Sequence, residues 1–114
     1  MAGLPVVFGG AGIGPPRTFN NAEKVAELYD VLEKGGVRII DSAQLYEGSE
    51  KMIGETNGGS RFTIDTKWKG GFAGVLNNKE IVESAKESIK LLKVKGENDH
   101  LVMLAHVCVA DRSR

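Results

Sequence analysis

Apolar positions in this chain fall into four short runs, separated by segments with helical spacing. The runs cover residues 4–8, 37–40, 62–66 and 100–105. Each is of strand length, and Arg38 is the one charge inside the second. Between the first two, Val25, Leu28, Tyr29 and Leu32 recur at i, i+3, i+4 and i+7. That stripe predicts a helix over 22–34, with Asn21 as its cap and Gly35-Gly36 as its left-handed stop. Ser49 can cap a short helix over 50–55 that turns Met52 and Ile53 inward, and 56–60 reads as a loop. Asn78 can cap a third helix over 79–93, in which Ile81, Ala85, Ser88 or Ile89, and Leu92 repeat at helical spacing. Glu83 and Lys86 form an i, i+3 pair on its wet face.

Strand and helix therefore alternate, giving about four strands and three helices. This order predicts an α/β fold with a parallel sheet built by crossovers. The near-continuous apolar runs predict strands covered on both faces. The 114 residues suffice for one domain, 1–114, without an internal boundary.

Composition narrows the function class. Lys+Arg and Asp+Glu are 15 each, so nothing points to nucleic acid or an anionic membrane surface. The longest apolar-rich run, 101–110, is too short for a bilayer and contains His106. No basic segment followed by a long apolar one opens the chain, so a signal peptide is not expected. Cys108 is the single cysteine, which excludes an intramolecular disulfide, and no zinc-binding spacing occurs. A cytoplasmic setting is the default reading.

Gly9-Gly10-Ala11-Gly12-Ile13-Gly14 has the glycine density of a dinucleotide-binding loop. That fingerprint needs a helix to begin at its last glycines, and here Pro15-Pro16 favour extended chain instead. The stretch reads better as a flexible turn at the mouth of a pocket.

Candidate chemistry gathers at the strand ends. Run two stops at Asp41, with Tyr46 five residues on; run three stops at Lys67, and run four at His106. Strand C-termini of a parallel sheet share one rim, and neighbouring strands lie about 4.8 Å apart. Asp41, Lys67 and His106 should then fall within roughly 10 Å of one another, two strand spacings, and Tyr46 can fold back over them. These types support proton transfer to an oxygen. A tyrosine hydroxyl ordinarily titrates near 10, and a neighbouring ammonium favours its anion. A carboxylate holds the lysine, and a histidine can orient the same oxygen. With a hydride donor alongside, the outcome is carbonyl reduction. Each residue also has a plainer reading: Asp41 as a loop cap, Tyr46 as packing, Lys67 as a solvated side chain, His106 as a core histidine.

Four spaced motifs bear a family likeness. Asp41-Ser42-Ala43-Gln44-Leu45-Tyr46, with Gly48-Ser49-Glu50 and Ile53-Gly54-Glu55, resembles the aldo-keto reductase signature after the second barrel strand. Thr66-Lys67-Trp68 is similar to the family's lysine motif, and Leu104-Ala105-His106 to its histidine strand end. Val7-Phe8-Gly9-Gly10-Ala11 is similar to its first strand and cofactor-side loop. The nearest branch is that of the aflatoxin-aldehyde reductases, with fungal enzymes of secondary metabolism. The resemblance implies the N-terminal half of a (β/α)8 TIM barrel that uses NADPH to reduce aldehydes and ketones, without a metal. Carried over by position, Tyr46 is the general acid, Lys67 lowers its pKa, Asp41 pairs with Lys67 beside the nicotinamide ribose, and His106 orients the carbonyl. Gly10 and Ala11 fall on the cofactor side.

The chain departs from the family in length and at its tail. A full barrel takes about 250 residues, and the loops that hold the adenosine phosphate follow late strands. Poor NADPH binding by the chain alone is therefore expected. After His106, the branch's Ala-Pro-Asp-Arg pattern is replaced by Val107-Cys108-Val109 and then Ala110-Asp111-Arg112-Ser113, as in a truncated or mis-spliced product. Two function classes follow: a carbonyl reductase, or a non-catalytic remnant that is inactive or acts only by associating with another chain. Open sheet edges invite aggregation or a homodimer of half barrels.

Overall fold

A computed structural model describes residues 4–68, 78–94 and 101–105, with the backbone alone for 78 and 101–105. Four strands form one parallel sheet in chain order: β1 (Val7–Gly9), β2 (Ile39–Asp41), β3 (Thr63–Trp68) and β4 (Leu101–Ala105). The crossovers carry α1 (Ala22–Lys34), then α2 (Ser49–Glu55) with a single turn α3 (Gly58–Arg61), then α4 (Asn78–Leu92).

Local chemistry accounts for most boundaries. The Asn21 side chain accepts from the Lys24 N–H at 2.9 Å, satisfying one of the free donors of the first turn of α1. Gly36, at φ 81°, supplies the left-handed stop. Val25, Leu28, Tyr29 and Leu32 form the buried stripe, as their spacing predicts. Met52 and Ile53 of α2 also face inward. In α4 the buried choice is Ser88, while Ile89 stays exposed.

Four expectations are corrected. The first strand begins at Val7, where its ladder with Ile39 of β2 starts, while Leu4 and Val6 before it lie in solvent at 91% and 59% exposure. Ser49 does not cap α2; it is the helix's first residue, Gly48 precedes it at φ 75°, and the serine hydroxyl is spent on a buried network. Residues 58–61 form a helical turn rather than loop, entered through Asn57 in the left-handed region. The strands are not covered on both faces. Ile40, Ile64 and Thr66 are fully buried, whereas Ile39, Asp41, Thr63, Asp65 and Lys67 between them stay half-exposed. Successive residues point to opposite faces, so one face of the sheet packs on helices and the other is open.

The covered face holds the core. Ile40 and Ile64 sit in register on β2 and β3, beneath Tyr29, Ile53 and Leu92 from three helices. Tyr29 and Phe62 rings lie 5.1 Å apart, and the Tyr29 hydroxyl bonds the Thr56 hydroxyl at 2.8 Å. Burial pushes the Tyr29 phenol above its ordinary value, against the Thr56 bond and the Arg61 charge. Gly54 lets α2 meet α4: a Cβ there would sit 1.8 Å from the Leu91 carbonyl oxygen.

Candidate active site

Asp41 is the last residue of β2, and Lys67 the penultimate residue of β3. Both lie inside their strands rather than just past them, since β3 continues its ladder with β4 as far as Trp68. Both project from the open face. The Lys67 ammonium donates to Asp41 Oδ1 at 2.6 Å and to the Ser42 carbonyl at 2.7 Å. Their side chains are 17% and 30% exposed, so the pair is only partly screened by water. Asp41 therefore holds a lysine; the Ser42 N–H is taken by the Asp65 carbonyl at 2.6 Å, which sets aside a capping role toward that amide.

Tyr46 is half-buried in the turn after β2, where its N–H donates to the Ala43 carbonyl. The Lys67 ammonium stands 5.3 Å from the centre of its ring, within cation–π range. The loop carrying Tyr46 is fixed from two sides. The Gln44 N–H donates to the Lys67 carbonyl at 3.0 Å. Glu47-Gly48 packs backbone-to-backbone on Gly14-Pro15, where a Cβ on Gly14 would stand 2.6 Å from the Glu47 carbonyl oxygen. Gly14 also has φ 134°, a conformation only glycine holds readily.

The glycine stretch is not a dinucleotide fingerprint: Gly10–Gly12 is a 3-10 turn, and the next helix starts at Ala22. Nor is it a loose turn. Gly12 and Gly14 bond Phe19 through their backbones, and Ile13 is fully buried. Gly10 is tucked against the end of β2, with Asp41 O 3.1 Å from where its Cβ would be, and its carbonyl accepts from Ser49 Oγ at 3.1 Å. Ala11 is exposed beside it.

Two features escaped sequence reading. One is a buried polar layer behind the site: Ser42 and Ser49 hydroxyls bond at 2.8 Å, and Thr66 Oγ1 donates to the buried Glu50 carboxylate at 2.8 Å. Serines and an acid in a motif-rich turn look solvated until the turn is folded onto the sheet. The other is Asp65, the register partner of Asp41 on the open face. Its carboxyl is held above its ordinary value by burial first and by the Asp41 charge second, with Lys67 pulling the other way. It was hidden inside an otherwise apolar run. A pocket of about 220 Å³ lies between Gln44, Glu50, Ser84, Ser88 and Leu91, and its walls include none of Asp41, Tyr46 and Lys67. His106, and likewise His100, lie outside the described residues.

Comparison with known proteins settles the family. Residues 5–107 match the model of the aldo/keto reductase family. The chain belongs to that family. A curated relative, oxidoreductase sirO of Leptosphaeria maculans, is 29% identical over 99 residues, covering 79% of this chain and 30% of the relative. Two solved aldo-keto reductase-type structures from Pseudomonas aeruginosa superpose with TM-scores of 0.70 and 0.69 at 22% and 24% identity. They cover 90% of this chain but 41% and 40% of their own. Aldo-keto reductase AKR11C1 from Bacillus halodurans, in its holo form, gives a TM-score of 0.57 at 22% identity, covering 77% of this chain and 32% of that one. The four-stranded sheet is thus part of a TIM barrel, and its open face corresponds to the barrel interior. The chain spans about a third of the curated relative and about two fifths of the two superposed bacterial structures.

Proposed function

We propose that this chain carries the proton-donating site of an NADPH-dependent carbonyl reductase. The observation that supports it most is the Lys67 ammonium, bonded to Asp41 at 2.6 Å and 5.3 Å from the Tyr46 ring. The bound nicotinamide would supply a hydride to the carbonyl carbon of an aldehyde or ketone. The Tyr46 hydroxyl gives its proton to the carbonyl oxygen, so that C=O plus hydride plus proton becomes an alcohol. An adjacent ammonium favours the phenolate left behind. Asp41 keeps that ammonium in place, and its second carboxylate oxygen remains an acceptor for a ribose hydroxyl. Gly10 and Ala11 follow β1 directly; Gly10 is buried against the end of β2 and Ala11 is exposed beside it, and by family position both fall on the cofactor side. By family position His106 orients the carbonyl oxygen. The reading includes a cytoplasmic setting; among the described residues no helix is long and apolar enough to cross a membrane. The fungal branch likeness extends it to secondary metabolism.

The deciding experiment follows NADPH oxidation by the purified chain with a reactive aldehyde, beside Tyr46→Phe. Turnover lost in the variant supports the reading. Equal turnover in both removes Tyr46 from it. A second reading is favoured by the open edge of β1, where Val6 and Val7 are 59% and 48% exposed. In it the chain acts by pairing with another chain, for instance as a homodimer of two half barrels, with no turnover of its own. Light scattering separates a dimer from a monomer.

A further inference from the structure

The open face carries one charge more than the proposed site uses. Asp41 and Asp65 are directly opposed on β2 and β3, and Lys67 follows Asp65 by two residues on the same strand. Residues two apart on a strand share a face, and opposed residues on neighbouring strands lie about 5 Å apart. Two carboxylates therefore flank one ammonium. In the structure the ammonium sits on Asp41, bonded at 2.6 Å. Among the described residues, the charges acting on Asp65 are Asp41 from β2 and Lys67 from its own strand. Thr63 completes the β3 face, and β4 opposes Asp65 with Val102 and has no charged residue between Leu101 and Ala105.

We propose that Asp65 is a positioning residue for Lys67: ionised, it competes with Asp41 for the ammonium and draws Lys67 away from the Tyr46 ring, and protonated, it leaves Lys67 on Asp41. The proposal rests on the Tyr46–Lys67–Asp41 reading for its consequence in catalysis, but not for its geometry. A lysine with two competing carboxylates divides its time between them, whereas one with a single partner is held. Burial first and the Asp41 charge second hinder Asp65's ionisation and raise its titration above that of an ordinary aspartate.

The test is an NMR pH titration of the intact chain that reads the Tyr46 ring protons, the Lys67 Nζ and Cε signals, and the side-chain carboxyl carbons of Asp41 and Asp65. Wild-type chain is expected to show two inflections in the Tyr46 and Lys67 signals, one coinciding with the Asp65 carboxyl. Asp65→Asn is expected to remove that inflection and leave the other, and Asp65→Glu to restore two. Two inflections persisting in Asp65→Asn would overturn the proposal. So would a wild-type Tyr46 signal that ignores the step seen at the Asp65 carboxyl, a result that needs no variant to fold. Neither readout requires turnover, so a failure here is distinct from a failure of the reductase reading, which NADPH oxidation reports by itself.

Discussion

The two faces of this sheet are made from the same strands and do opposite jobs. On the helix side, Ile40, Ile64 and Thr66 are fully buried under α1, α2 and α4. On the other side, Asp41, Asp65 and Lys67 alternate with them and stay half-exposed. The difference teaches where stability and chemistry reside. Burial of apolar area holds the strands in register, and that register then delivers charged side chains to one rim at no cost to the core. A lysine–carboxylate pair buried among helices would need full desolvation; on the open face it keeps part of its solvent.

The comparison breaks most sharply on the covered side. Ile64→Ala should cost about 2–5 kcal/mol, the usual range for emptying a packed aliphatic site, and denaturant melts will show it. Gly54→Ala belongs to the same class, because its Cβ would sit 1.8 Å from a backbone oxygen of α4 and the helices must separate.

On the open face the effect on folding shrinks while the effect on function grows. Lys67→Met should cost about 2 kcal/mol, the scale of a charge-assisted hydrogen bond. In an NADPH oxidation assay it should abolish whatever turnover the wild-type chain supports. A melt as severe as that of Ile64→Ala would deny the division of labour between faces.

Two titrations sharpen the contrast. Tyr29 is a weak acid held above its ordinary value in the core. Its stabilisation is present below the unfolded value and is lost as pH rises through the folded one. Alkaline melts should therefore show a loss of stability that Tyr29→Phe removes. Asp65 obeys the same sign, being an acid whose folded value is raised. The wild-type chain loses stability as pH rises through the Asp65 folded value, so Asp65→Asn should be the more stable form at neutral pH. The advantage should vanish below the ordinary aspartate range, where both side chains are neutral. A variant that is less stable at neutral pH would show that Asp65 is held by more than Lys67.

The smallest effect belongs to neither face. Arg61 reaches Asp30 at 2.8 Å and also bonds Glu33 at the outer surface of α1. Arg61→Ala should cost at most about 1 kcal/mol and less in high salt, as exposed ion pairs do.

Much of this was legible from residue spacing. The α1 stripe and its Asn21 cap, the order of elements, and the convergence of Asp41, Tyr46 and Lys67 all follow from periodicity and from the geometry of parallel strands. The exact strand limits did not, because Lys67 and Trp68 look like loop residues until β4 pairs with them as far as Ala105. The expectation of strands apolar on both faces failed for a related reason: short runs such as Phe62-Thr63-Ile64-Asp65-Thr66 hide an alternation in which threonine and aspartate occupy the open side. Ser42, Ser49 and Glu50 were unreadable as buried groups, since their partners are Gly10, Thr66 and each other, brought together only by folding.

The sequence by itself determined the family, the order of strands and helices, and which residues could do chemistry, because those depend on local spacing and residue type. The tertiary structure alone decided which face each residue occupies and that Lys67 bonds Asp41 beside Tyr46. It also decided that a second carboxylate, Asp65, stands opposite. Those facts depend on strand register, and register is fixed by long-range pairing and burial that no short stretch of chain contains.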